Sequence, residues 1–130
     1  MSQAPLTRQN LGFTIATLTA AATSGASVIQ NNLSCKGIVV NVNVASVSGT
    51  SPTLVVTVQG IDPASGATYT LLASAAITAA GLTTLTVYPG VPAAANTAAS
   101  LPVPNQFKVS WTIGGTTPAF TATIGGALIV

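Results

Sequence analysis

Apolar and polar residues alternate along most of this chain. In residues 38–47, Ile38, Val40, Val42 and Val44 share one side, and Val39, Asn41, Asn43 and Ala45 the other. Leu54, Val56 and Val58 alternate with Val55, Thr57 and Gln59. Leu85 and Val87 alternate with Thr84, Thr86 and Tyr88. Phe107, Val109, Trp111 and Ile113 alternate with Lys108, Ser110 and Thr112, and Phe120, Ala122 and Ile124 with Thr121 and Thr123. A period of two puts one apolar face of a pleated strand against a core. The β-branched and aromatic residues that fill these stretches suit a sheet.

Turn residues separate the stretches. Ser48-Gly49-Thr50-Ser51-Pro52 predicts a hairpin-length connection between two strands, and Gly114-Gly115-Thr116-Thr117-Pro118 another turn. Asp62-Pro63-Ala64-Ser65-Gly66 predicts a turn with proline at its second position. Strands at this spacing predict an all-β protein: an antiparallel β-sandwich, jelly-roll or immunoglobulin-like, of about seven to nine strands. Residues 71–81 begin as a strand and turn Ala-rich. A short helix over residues 75–80 competes there with extended structure favoured by Ile77-Thr78. Residues 89–104, with four prolines, read as a long ordered loop crossing between sheets. Residues 1–12 read as a polar arm and 13–33 as an edge element, so the expected division is 1–33 for arm and edge and 34–130 for the sandwich.

Charge changes the picture most. Only Arg8, Lys36, Lys108 and Asp62 carry side-chain charge, 3% of the chain, against about 25% in an ordinary soluble domain. Such a surface is tolerated where partner subunits cover it or where hydroxyls and amides hydrate it. The net charge is +2, from scattered bases with no cluster to neutralise phosphates, so no nucleic-acid partner is expected. No run of about 18 apolar residues predicts a spanning helix, and Thr14, Thr17 and Thr19 interrupt the one stretch resembling a signal-peptide core; no membrane partner is expected.

The chain has no His and no Glu, and a single Asp. A Ser-His-Asp triad, paired carboxylates and a metal cluster therefore cannot be assembled within one chain. No enzyme activity, cofactor or metal is expected. Asp62 reads as a turn former, and Cys35, the single cysteine, as a small apolar residue. Trp111 falls on the side of Phe107 and Val109 and reads as core in preference to a carbohydrate-stacking residue. Tyr69 and Tyr88, near turns, fit either an interface or the core.

Residues 44–90 carry a recognisable combination: Ser48-Gly49-Thr50-Ser51-Pro52-Thr53-Leu54, then Val58-Gln59-Gly60-Ile61-Asp62-Pro63, Ser65-Gly66, Leu71-Leu72 and Tyr88-Pro89-Gly90. With residues 101–130, this resembles a family of small head proteins of tailed bacteriophages, some of them capsid cement (decoration) proteins. The resemblance covers residues 36–130. Ala, Thr and Val replace many of the family's charged residues. It implies a β-sandwich on the outer capsid surface of the virion, a trimer at three-fold or quasi-three-fold positions, bound to the major capsid protein and bridging its subunits. The alternative is a tail-tube, tail-terminator or neck subunit; scarce acidic residues count against a DNA-passing tube. A lectin-like adhesion module is a third reading, disfavoured by few aromatics and acids. The expected attachment residues lie in the arm: Gln3, Pro5, Leu6, Arg8 and Asn10. Leu6 offers an apolar anchor, Pro5 limits the entropy lost on docking, and Arg8 could pair with a partner carboxylate.

Overall fold

The computed structural model describes residues 10–32 and 34–130. Among them there is no helix. Eight strands follow in order: β1 (Leu11–Ala21), β2 (Gly25–Ala26), β3 (Gln30–Asn31), β4 (Gly37–Ile61), β5 (Thr68–Ala73), β6 (Gly81–Val87), β7 (Ala98–Ala99) and β8 (Gln106–Ile129). The all-β class and the strand number agree with the periodicity. All strands pair antiparallel except β6 with β7.

β4 and β8 organise everything else. They pair along almost their whole lengths, from Gly37↔Ile129 through Thr50↔Thr116 to Gly60↔Phe107. Residues 37–48 and 119–129 form the centre of one layer, flanked by β1 on β8 and by β6, then β7, on β4. Residues 53–61 and 106–113 form the centre of the other, flanked by β5 on β4 and by β2 and β3 on β8. Ile38, Val40 and Val42 in the first layer are fully buried, as are Leu54, Val56 and Val58 in the second, and all join one core with Phe107 and Phe120. With no helix to cover either face, the two layers bury each other. The result is a sandwich made from one continuous sheet folded over.

The fold line lies where the sequence predicted turns, and here the structure corrects the expectation. Residues 48–52 and 114–118 are not hairpin connections; they lie within β4 and β8, which keep the same partner on both sides. Gly, Ser, Thr and Pro satisfy a bent strand as well as a chain reversal. Gly49 and Gly115 have φ of 110°, and Ser51 and Thr117 have φ of 49° and 48°, so each strand takes the same irregular path. Neither Pro52 nor Pro118 occupies a paired position, as a residue without an N–H requires.

The two crossings are copies of one pattern. Gly49-Thr50-Ser51-Pro52 faces Gly115-Thr116-Thr117-Pro118, and the likeness continues through Leu54/Phe120, Val58/Ile124 and Gly60/Gly126 with matching burial. An approximate two-fold axis runs between Thr50 and Thr116. It relates β5, on the flank of β4, to β1, on the flank of β8.

The remaining connections are short or pinned. Residues 62–67 form the β4–β5 turn, with the Gly66 N–H donating to the Asp62 carbonyl at 2.8 Å and the Asp62 N–H to that of Ala67 at 2.8 Å. Residues 75–80 form no helix: the N–H and carbonyl of Ile77 bridge to Leu54 at 2.8 and 2.9 Å. Residues 89–104 lead from β6 in one layer to β8 in the other and include β7. Within this loop Asn96 takes a φ of 62° and its side-chain amide donates to the Ala73 carbonyl at 3.0 Å, linking the layers. Asn32 closes the opposite side: its amide donates to the carbonyls of Cys35 and Val103 at 2.7 and 3.0 Å, and its oxygen accepts from the Cys35 N–H at 2.9 Å.

Candidate partner-binding surface

Of the five residues expected to attach a partner, Gln3, Pro5, Leu6 and Arg8 lie outside the described residues. Asn10 is exposed, and its side-chain oxygen accepts from the Val130 N–H at 3.0 Å. Next to it Leu11 opens β1, paired with Leu128, with its side chain more than half exposed. The point where the arm meets the sandwich is therefore fixed at the end of β8.

The outward face of the first layer is broad and uncharged. Its rows run across four strands: Thr17, Thr123, Asn43 and Leu82; then Thr14, Gly125, Asn41 and Thr84; then Gly12, Ala127, Val39 and Thr86. The Thr84 hydroxyl donates to the Asn41 amide oxygen at 2.8 Å. Leu82 is 66% exposed at one edge. Such a face is hydrated by hydroxyl and amide groups, and can be stripped of water without desolvating an ion.

At the end of this face the surface dips. Val39, Thr86, Tyr88, Val91 and Ile129, with Ile38 behind them, line an open apolar pocket of about 300 Å³. The Tyr88 hydroxyl donates to the Val130 carbonyl at 2.9 Å, which ties the ring to the end of β8. Tyr88 is half-buried, whereas Tyr69 is exposed and lies over Gly60. Trp111 is half-buried against the core, under Gly25.

The edge of the second layer carries a feature that the sequence reading missed. Between Ala26↔Ser110 and Gln30↔Phe107 one strand has an extra residue, and the bulge turns out Val28 and Ile29, 77% and 50% exposed. The bulge is tightly held. The Ser27 N–H donates to the Val109 carbonyl at 2.7 Å, and the Val109 N–H donates to the Ser27 hydroxyl at 3.1 Å. The Val28 carbonyl accepts from the Ser27 hydroxyl at 2.8 Å and from the Gln30 amide at 3.2 Å. The only sequence signal was two adjacent large apolar residues that break the alternation.

The charged residues are dispersed. The Asp62 carboxylate accepts from the Ser65 hydroxyl at 2.6 Å and from the Ala64 N–H at 3.1 Å; these bonds hold its pKa below the usual carboxylate value. Lys36 is exposed beside the start of β4, and Lys108 half-buried on β8. Cys35 is half-buried against the core.

No family model and no curated protein matches the chain. A chain in the structure of infectious bursal disease virus, Gx strain, is similar in shape over 98% of this chain, with a TM-score of 0.46 and 12% identity. This chain spans 36% of that one.

Proposed function

We propose that this chain is a capsid cement (decoration) protein of a tailed bacteriophage. It binds the outer surface of the virion shell, bridges major capsid protein subunits and associates with copies of itself as a homotrimer. It performs no catalysis and engages neither nucleic acid nor membrane. The observation that carries this reading is the uncharged Thr-, Asn- and Val-bearing face of a sandwich whose two layers share the same long strands. A protein that binds only the assembled shell stabilises it by mass action, by about 2.7 kcal/mol per site at a hundred times its Kd. That task needs a stiff body and a face that is cheap to desolvate, and no reactive group. The family resemblance over residues 36–130 supports the same assignment, with Gln3, Pro5, Leu6, Arg8 and Asn10 as the arm contacts.

The test is co-sedimentation of the purified protein with purified phage capsids, followed by electron microscopy of the decorated particles. Density on the outer shell at three-fold positions is expected. Density on the tail or neck would replace the cement role with the tail-structure alternative, and failure to bind any part of the particle would refute both. Removing residues 1–9 is expected to weaken decoration while leaving the far-ultraviolet circular dichroism of a β protein.

A further inference from the structure

The strands of this sandwich pair almost entirely between the two halves of the chain. β1, β2 and β3 bond to β8, β5 and β6 bond to β4, and β4 and β8 bond to each other. Among the described residues, the short pairing of β6 with β7 is the one ladder that does not join residues 10–61 to residues 68–130. We infer that these are two complementary half-domains, each the binding partner of the other, and that either half of one copy fits the opposite half of a second copy.

The first support is repetition in detail. Phe13 on β1 faces Gly126, and Tyr69 on β5 faces Gly60. The β1 ladder then skips Ile15 and the β5 ladder skips Leu71, and both skipped side chains are buried. Gly25 opens β2 opposite Trp111, and Gly81 opens β6 opposite Val44. The pairs Phe13/Tyr69, Ile15/Leu71 and Gly25/Gly81 stand at one constant offset along the chain. The long strands repeat at a larger offset, Gly49/Gly115 and Gly60/Gly126, because the loop of residues 89–104 lengthens the second half. The chain thus carries one unit twice: a bulged strand, a strand opened by glycine, and a long bent strand. The surface that the first unit offers the second is the surface offered back, as in an isologous dimer. Such a contact needs two units and not one chain.

The second support is the link. Residues 62–67 alone connect the halves. Residues 63–67 are exposed, and the turn's hydrogen bonds run among Asp62, Ala64, Ser65, Gly66 and Ala67. Opening it removes no ladder from either layer. Two opened copies can rebuild every ladder from each other's strands, the low-cost exchange known as domain swapping. This goes beyond the proposed function and rests on no part of it.

Two forms of the full chain test it. In the first, a protease site is placed in the 62–67 turn and cut after folding. The cut protein is expected to sediment at micromolar concentration as a particle of uncut mass, with the circular dichroism of the uncut protein. In the second, residues 62–67 are deleted, so that Ile61 runs directly into Thr68. These two are direct partners across the β4–β5 ladder, a position that bonded neighbours in the chain cannot take, so one copy cannot close on itself. Its smallest folded particle is expected to hold twice as many chains as that of wild type. Fragments that separate on cutting would overturn the inference. So would a deletion variant that folds with the wild-type number of chains, or one that does not fold at all. Capsid decoration by wild type is read separately and bears only on the proposed function.

Discussion

Gly49 and Gly115 occupy equivalent places on β4 and β8, each packed against the other strand's backbone. A Cβ on Gly49 would lie 2.6 Å from the Thr117 carbonyl oxygen, and one on Gly115 would lie 2.6 Å from that of Ser51. Both residues also have a φ of 110°. The close crossing of the two strands, and with it the fold line of the sheet, requires glycine twice.

Gly49→Ala and Gly115→Ala are each expected to destabilise the protein by about 2 kcal/mol or more, because backbone strain of about 1–3 kcal/mol adds to a collision with backbone that cannot move aside. The exposed Thr50→Ala, between them in space, should fall within about 0.5 kcal/mol of wild type. Urea unfolding of the three variants checks the contrast.

Gly60 lies beneath the Tyr69 ring, and a Cβ there would be 2.6 Å from the phenol oxygen. Because Tyr69 is exposed, the ring can swing away into solvent. Gly60→Ala is expected to cost about 1 kcal/mol, and less in a Tyr69→Ala background, with a coupling energy of about 0.5–3 kcal/mol in the range for residues in contact. A double-mutant cycle by thermal unfolding measures it; strict additivity would show that the ring does not rest on Gly60.

Asn32 is a buried polar side chain whose three hydrogen bonds hold Cys35 and Val103 together. Asn32→Ala removes three hydrogen bonds, worth about 0.5–1.5 kcal/mol each, and takes the buried donor away from the Val103 carbonyl. A loss of about 3 kcal/mol is expected by chemical denaturation, with hydrogen exchange accelerated first at the Cys35 amide.

Asp62 titrates below its ordinary value of 3.8 because the Ser65 hydroxyl and then the Ala64 N–H bond to its charged form. A depressed folded-state pKa gives stability that is present above the unfolded value and lost as pH falls through the folded one. NMR titration should find the Asp62 pKa below 3.8 in wild type and raised in Ser65→Ala. The stability gap between the two proteins should narrow as the pH drops below that of the wild-type transition.

Strand content was legible because the residues predicted to face inward are the buried ones: Ile38, Val40, Val42 and Val44 on one strand, Phe120, Ala122 and Ile124 on another. The joining of strands was not. Glycine and proline at 48–52 and 114–118 mark an irregular backbone, and whether the chain then reverses or continues depends on the partner strand, which local sequence does not contain. Nor could periodicity locate the pocket, which forms only where Val39, Thr86 and Ile129 from three strands meet Val91 from a loop. The Val28–Ile29 bulge escaped for a related reason: adjacent apolar residues read as interrupted alternation until the register with β8 is known.

The long pairing of β4 with β8 also sets a timetable for folding. Gly37 must find Ile129, and β1, β2 and β3 bond to β8, the last strand along the chain. Contacts so distant in sequence slow the search, and β proteins dominated by them fold in about milliseconds to seconds. On the ribosome neither layer can close until β8 has emerged, so the nascent chain waits with its apolar strands open. Few charged residues stand guard over them during that interval. Growth temperature and expression rate are then expected to govern the soluble yield more strongly than the stability of the finished sandwich.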